Sequence, residues 1–218
     1  MNALGSAPCA DGTPERRTSA LPRLLLLTDR SQLHLSRALL PTLAECREAG
    51  LTHVVLRELD EPPAPRAALA AALTDLGLTV IAAHTPLPGA AGVHLPASAE
   101  LTDRSVSPRP VLLGRSCHHR DEVARAARER VDYATLSPYA ASDSKPGYGP
   151  PLAAGELAGH PIPVYALGGI TPANAAEAVA AGAHGVAVMG AVMRAGDPAA
   201  VVAELLAALA AGAPEVPV

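Results

Sequence analysis

Two glycine turns late in the chain are the first residues whose types and spacing suggest chemistry. Leu167-Gly168-Gly169-Ile170-Thr171-Pro172 and Val188-Met189-Gly190-Ala191 each follow a short apolar run and lead toward a helical one. Glycine lets the main chain approach an anion, and free N–H groups at a helix start favour negative charge. Gly168, Gly169, Met189 and Gly190 therefore read as a backbone clamp for a phosphate. Ahead of the first turn lies a long polar stretch, SPYAASDSKPGYGPP. Loops of this length inside compact domains are functional or disordered. Here Ser142, Ser144 and Lys145 offer hydroxyls and a cation to a phosphorylated ligand. His84, His94, His118 and Arg57 complete the set. Histidine, with an ordinary pKa near 6.5, takes up and releases a proton close to neutral pH. A buried arginine needs an anionic partner. Arg57 thus calls for a ligand carboxylate or for a structural acid such as Asp29 or Glu58.

What these residues share is position: each sits at or near the end of a short apolar segment. Strands are predicted over Leu24–Leu27, His53–Leu56, Thr79–Ala83, Gly92–Leu95, Val111–Leu113, Tyr133–Leu136, Pro163–Leu167 and Gly185–Val188. Most are continuous apolar runs, as expected of strands buried on both faces. Helix-spaced stretches at Leu35–Ala49, Arg66–Leu76, Arg120–Arg130, Pro172–Ala181 and Asp197–Ala210 alternate with them. Gly50 and Gly77 are stop signals, and Asp197-Pro198 supplies a cap and a first helical residue. Strand–helix alternation with eight strands predicts the α/β class and a single (β/α)8 TIM barrel, near the lower size limit of that fold. A flavodoxin-like open sheet would leave two or three strands unplaced. Residues 84–91, HTPLPGAA, are too short and too rich in Pro and Gly for a helix, so one crossover is degenerate. In such a barrel the chemistry belongs at the C-terminal strand ends.

Composition narrows the function classes. The chain has 218 residues, 49% hydrophobic and 2% aromatic, so its core must be built from Leu, Val, Ile and Ala. A formal net charge of −4, without a basic stripe or aromatic platform, argues against nucleic acid as a partner. No apolar run approaches the roughly 18–20 residues of a membrane crossing. The first twenty residues lack the apolar stretch of a secretory signal. Cys9, Cys46 and Cys117 are too widely spaced to read as a zinc framework. The expectation is a reduced, cytoplasmic protein: residues 1–20 a disordered tail, 21–212 the barrel, 213–218 a C-terminal tail. The Ala-rich outer helices leave a homodimer open.

VDYATLSPY…SDSKPG followed by IPVYALGGITPANAAEAVAAGAHGVAVMGAV is similar to the thiamine phosphate synthase/TenI superfamily. GLTHVVLREL, GVHL and LLGRSCHHRDEV match it in the same order, so the resemblance spans about residues 23–210. It implies a (β/α)8 barrel that handles a thiazole phosphate in thiamine biosynthesis. Two activities are implied. A synthase joins a pyrimidine diphosphate to the thiazole phosphate with magnesium. A tautomerase in the TenI branch aromatises a carboxythiazole phosphate without metal.

The synthase pattern Gln-x-Arg-x-Lys reads Val55-Leu56-Arg57-Glu58-Leu59 here, keeping only the Arg. Where the pattern has an Asn-Asp-Arg with a magnesium ligand, this chain has Ala83-His84-Thr85. The second carboxylate position, after GVHL, reads Pro96-Ala97-Ser98-Ala99, with Glu100 the nearest acid. Magnesium favours hard oxygen ligands. The thiazole-phosphate side is better kept, with Gly169, Met189 and Gly190 at the clamp and Ser142-Asp143-Ser144-Lys145 in place of Thr-x-Thr-Lys.

The resemblance therefore implies a TenI-like thiazole tautomerase with no cofactor and no metal site. His118 would be its acid/base, moving a proton from the ring carbon that bears the carboxylate to the exocyclic carbon. Ser116, in the same run, reads as a substrate contact. His84 reads as a second acid/base, a contact for the substrate carboxylate, or a filler of the vacated metal site. His94, within a strand, is expected to be a hydrogen-bonded core histidine. Cys117 reads as a buried small hydrophobe and His119 as a helix-start residue. The alternatives are a divergent, magnesium-dependent synthase, a non-catalytic thiazole-phosphate-binding or regulatory protein, and a barrel acting on another phosphate ester.

Overall fold

The computed structural model describes residues 21–34, 37–101, 112–141, 150–153 and 155–212. Both expected tails lie outside this set, as do Ser142, Ser144 and Lys145. Eight parallel strands close a barrel in sequence order, β1 pairing with both β2 and β8. They are β1 (Leu24–Leu27), β2 (His53–Leu56), β3 (Thr79–Ala83), β4 (Gly92–Leu95), β5 (Leu112–Cys117), β6 (Tyr133–Leu136), β7 (Val164–Leu167) and β8 (Gly185–Val188). The helices are α1 (Leu39–Glu48), α2 (Pro63–Asp75), α3 (Arg120–Arg128), α4 (Pro172–Ala180), the short α5 (Gly190–Met193) and α6 (Pro198–Ala211).

The apolar runs are explained by two separate cores. Leu24, Leu26, Val54, Leu56, Val186 and Val188 point outward to the helices. Leu25, Leu27, Val55, Ile81, Tyr133, Tyr165 and Ala187 fill the barrel interior. Side chains alternate between these two layers, so both kinds of position are apolar. Each fully buried Leu or Val contributes about 2 kcal/mol relative to exposure.

Three boundaries differ from the sequence expectation by three residues or more. Helix α1 begins at Leu39, not Leu35, because Pro41 is tolerated only in a first turn. Helix α2 begins earlier than expected, at Pro63, with proline preorganised for a first helical position. Strand β5 runs on through Gly114-Arg115-Ser116-Cys117, where the apolar signal stops. Arg115 faces the outer layer at 1% exposure, and its NH1 donates to the carbonyls of Ala97 and Ala99, the latter at 2.8 Å. Its NH2 lies 2.8 Å from Glu129 Oε2 as an ion pair. A polar residue thus continues a buried strand because its charge is paired and its NH1 finds two carbonyls, although Nε has no hydrogen-bond partner among the described residues. The β3–β4 connection, 84–91, has no helix, as expected, and the described parts of the β4–β5 and β6–β7 connections have none either.

Candidate functional site

The two glycine turns come together at the C-terminal end of the adjacent strands β7 and β8. Gly168 and Gly169 have φ values of 92° and 68°, left-handed backbone that favours glycine. A Cβ on Gly169 would lie 2.5 Å from the Ala141 carbonyl oxygen and 2.6 Å from that of Ala140. The loop after β6 presses this closely because Tyr139 N–H donates to Leu167 O at 2.8 Å and Ala140 N–H to Gly168 O at 3.0 Å. Behind the turn, Asn174 donates to Gly169 O at 2.9 Å and accepts from Thr171 N–H at 2.8 Å. This capping box fixes the start of α4 on the turn. Met189 and Gly190 open α5 on the neighbouring strand.

Arg194 belongs to the same corner and was not anticipated. Its guanidinium occupies the space that a Cβ on Gly190 would need. Its NH1 donates to Gln32 Oε1, and Gln32 donates to Asp29 Oδ2 at 2.6 Å. The signal was available: Arg194 is four residues past Gly190, one helical turn on, so the two share a face.

Arg57 crosses the barrel mouth from the end of β2 to β8. Its backbone N–H donates to Thr28 Oγ1 at 3.0 Å, and its NH1 lies 2.8 Å from Met189 Sδ. Of the two structural acids considered, Glu58 is committed to Arg30, whose backbone N–H and guanidinium both approach its buried carboxylate. Asp29 is near enough to feel the Arg57 charge, while its oxygens accept from Ser31 and Gln32. Partial burial raises the Asp29 pKa, but those hydrogen bonds and Arg57 bring it below the usual carboxylate value.

His84 follows β3 in left-handed backbone, φ 67°, with its side chain exposed. Its N–H donates to His94 O at 2.8 Å. Partial burial and the nearby charges of Arg57 and Arg66 lower its pKa, making it a neutral imidazole in a positive corner. Arg66, buried on α2, donates from NH2 to the Ala83 carbonyl at 2.9 Å and so braces this strand end.

His118 stands one residue past β5, half-buried at the mouth. Its backbone N–H donates to Glu122 Oε2 at 2.5 Å. Its Nδ1 is 3.2 Å from both the carbonyl oxygen and the hydroxyl of Ser137. The carbonyl only accepts, whereas the hydroxyl can donate or accept; a proton on Nδ1 serves both contacts and would leave the basic lone pair on Nε2. The imidazole is oriented by the end of the next strand, as an acid/base must be. Ser116 faces the interior two residues earlier and contacts His94. His94 is buried and hydrogen-bonded, as expected. Cys117 is buried with its thiol pKa pushed up to about 12, chiefly by burial, and the exposed His119 caps α3. A buried thiol held protonated in this way is a poor nucleophile.

Magnesium chemistry can be tested against the donors at these strand ends. After β3 stand an imidazole and a hydroxyl, and after β4 come Pro96, Ala97, Ser98 and Ala99, with Glu100 exposed. The carboxylates of Asp29 and Glu58 are already engaged. Among the described residues no three His, Cys, Asp or Glu side chains come together as a metal site. This donor set does not fit a magnesium ion, which needs several hard oxygens. Among the described residues no helix is long and apolar enough to cross a membrane.

Known proteins are similar to this chain. A putative thiamine-phosphate synthase of Geobacter sulfurreducens is 37% identical over 203 residues, covering 85% of this chain and 93% of that protein. A thiamine-phosphate synthase of Laribacter hongkongensis is 35% identical over 187 residues, covering 82% and 74%. The structure of a thiamine phosphate pyrophosphorylase from Pyrococcus furiosus superposes with a TM-score of 0.76, covering 90% of this chain and 98% of its own. At 23% identity that likeness speaks for the fold. The family model for thiamine monophosphate synthase, TMP-TENI, matches residues 24–192, from β1 through α5. With barrel, glycine turns and sequence in agreement, this chain belongs to the thiamine monophosphate synthase/TenI family of thiamine-biosynthesis enzymes.

Proposed function

We propose that the chain is a thiazole tautomerase, aromatising a carboxythiazole phosphate by proton transfer without metal. The observation that carries this reading is the oriented His118, whose Nδ1 faces the Ser137 carbonyl at 3.2 Å; on this reading the proton is on Nδ1 and the basic lone pair on Nε2. The substrate phosphate is held by main-chain N–H groups at Gly169, Met189 and Gly190, with Gly168 shaping the turn and Arg194 adding positive charge. Ser142, Ser144 and Lys145 are proposed to complete the phosphate contacts. Arg57, Ser116 and His84 line the opposite side, where a cation and neutral donors suit the substrate carboxylate. His118 Nε2 takes the proton from the ring carbon bearing the carboxylate. The resulting imidazolium returns it to the exocyclic carbon as the ring becomes aromatic. Atoms and charge balance within the substrate, and no oxidant or metal is required.

The second reading is the synthase, favoured by the names of the relatives that are 35–37% identical. One experiment separates the two: a proton NMR time course on the carboxythiazole phosphate tautomer in D2O, without metal, for the native chain and His118→Ala. Accelerated aromatisation that the substitution removes supports the tautomerase. A rate no faster than the spontaneous one rejects it. Pyrophosphate release from a pyrimidine diphosphate plus thiazole phosphate and magnesium would establish the synthase instead. Thiazole phosphate binding with neither turnover would leave a binding protein.

A further inference from the structure

The interior of the barrel holds a buried polar chain beneath the mouth. His94 Nδ1 lies 3.1 Å from the Tyr133 hydroxyl, and His94 Nε2 lies 3.0 Å from Ser116 Oγ. His94 is 4% exposed and Tyr133 is fully buried, whereas Ser116 is only partly buried at the open end. Local sequence makes room for this. A Cβ at Gly114 would collide with the Tyr133 ring, so only glycine lets the phenol pass across β5 toward β4. From the other side, the Tyr165 ring packs edge-on against Tyr133 with centroids 5.5 Å apart.

The protonation states of the buried pair follow from burial. Burial, reinforced by the charges of His84 and Arg57, brings the His94 pKa down to about 3, so the ring is neutral. Burial also pushes the Tyr133 hydroxyl well above its ordinary value, so it keeps its proton. A neutral imidazole has one N–H and one lone pair. Were His94 Nδ1 the protonated nitrogen, the Tyr133 proton would face no acceptor among the described residues. Folded proteins avoid that state.

We propose that Tyr133 and His94 are positioning residues that set Ser116 as a hydrogen-bond donor toward a substrate carboxylate. Tyr133 O–H donates to His94 Nδ1, His94 Nε2–H donates to Ser116 Oγ, and the Ser116 proton is left for an acceptor at the mouth. An oxygen anion can accept from that donor, whereas a ligand N–H has no use for it. The tautomer selection stands on the buried geometry alone. The identity of the acceptor rests on the proposed carboxythiazole substrate.

Nitrogen-15 NMR of the histidine rings in the full chain, with His94 assigned through His94→Gln, tests the selection without any ligand. The expected result is the Nε2–H tautomer in the native chain and a mixture of tautomers in Tyr133→Phe. An Nδ1–H tautomer or an imidazolium in the native chain overturns the proposal. The acceptor is tested by titrating Ser116→Ala with carboxythiazole phosphate and with thiazole phosphate lacking the carboxylate. Affinity for the first should fall about tenfold, and for the second it should hold. Equal losses on both ligands, or no loss on either, overturn the assignment of the carboxylate. If the native chain binds neither ligand, the proposed function fails and the acceptor assignment with it, while the tautomer result still decides the relay.

Discussion

The two sides of the barrel mouth are built from different materials. At β7 and β8 the site is mostly main chain: Gly168, Gly169 and Gly190, pressed between the loop after β6 and the starts of α4 and α5. Across the mouth, at β2 to β5, it is side chain: Arg57, His84, Ser116 and His118, of which Ser116 rests on the buried His94 and Tyr133. Backbone donors do not titrate and cannot be exchanged for other side chains. They suit a group that must be held unchanged throughout a reaction, such as a phosphate. Imidazoles and guanidiniums carry charge and protons, and they suit the end of the ligand that reacts. On the proposed function, the contrast separates a holding half from a reacting half of the barrel mouth.

That separation can be broken most sharply at His118. His118→Ala should lower kcat for aromatisation by about 10²–10⁴-fold, the ordinary worth of a general acid/base. Binding of thiazole phosphate, read by calorimetry, should stay within about twofold. A comparable loss of affinity would mean that His118 belongs to the holding half.

The next effect is on stability and comes from the reacting half. His94 titrates at about 3 in the folded chain against its ordinary 6.5. The unfolded chain therefore binds a proton that the folded chain refuses between these values. Stability from this group is full above pH 6.5 and declines as pH falls toward 3. The slope is at most about 1.4 kcal/mol per pH unit, and the total is on the order of 5 kcal/mol. Denaturant melts from pH 7 to 4 should show the decline, and His94→Gln should flatten it. An unchanged slope in that variant would place the acid sensitivity elsewhere.

Gly169→Ala sharpens the comparison from the holding side. The added Cβ meets two carbonyl oxygens in a left-handed backbone, at a cost of about 2–3 kcal/mol. We expect affinity for thiazole phosphate to fall by more than tenfold, with a lowered melting temperature. Native affinity in a folded variant would remove this turn from the clamp. The smallest effect is expected at His84. His84→Gly relieves the positive φ but adds chain entropy, so stability should shift by less than about 1 kcal/mol, in favour of glycine. KM for the carboxylated substrate should rise a few-fold, while affinity for the ligand lacking the carboxylate should hold.

The strands were legible in the sequence wherever a residue and its neighbours were all apolar. Leu24–Leu27, His53–Leu56 and Gly185–Val188 fall at the predicted bounds because each face meets its own core. The turn at Gly168 and Gly169 was legible too, since a left-handed backbone leaves its mark in the residue type itself. Strand β5 was cut short because Gly114, Arg115 and Ser116 carry no apolar signal. Their burial depends on Tyr133, on the carbonyls of the β4–β5 loop and on His94. The i, i+4 spacing shows that Arg194 stands beside Gly190, but not that it meets Gln32, 162 positions away.

The sequence by itself determined the barrel, its eight strands and the chemical character of the two halves, because burial pattern and backbone conformation are local demands that residue types answer one at a time. Tertiary structure alone decided which partners those residues meet. Arg57 reaches Met189 across 132 positions, Glu58 goes to Arg30 rather than to Arg57, and His94 sits between Tyr133 and Ser116, 39 and 22 positions distant. Such choices depend on distances between strands that no spacing along the chain records. They fix which nitrogen bears the proton, because a buried polar group must take whatever partner the closed barrel places beside it.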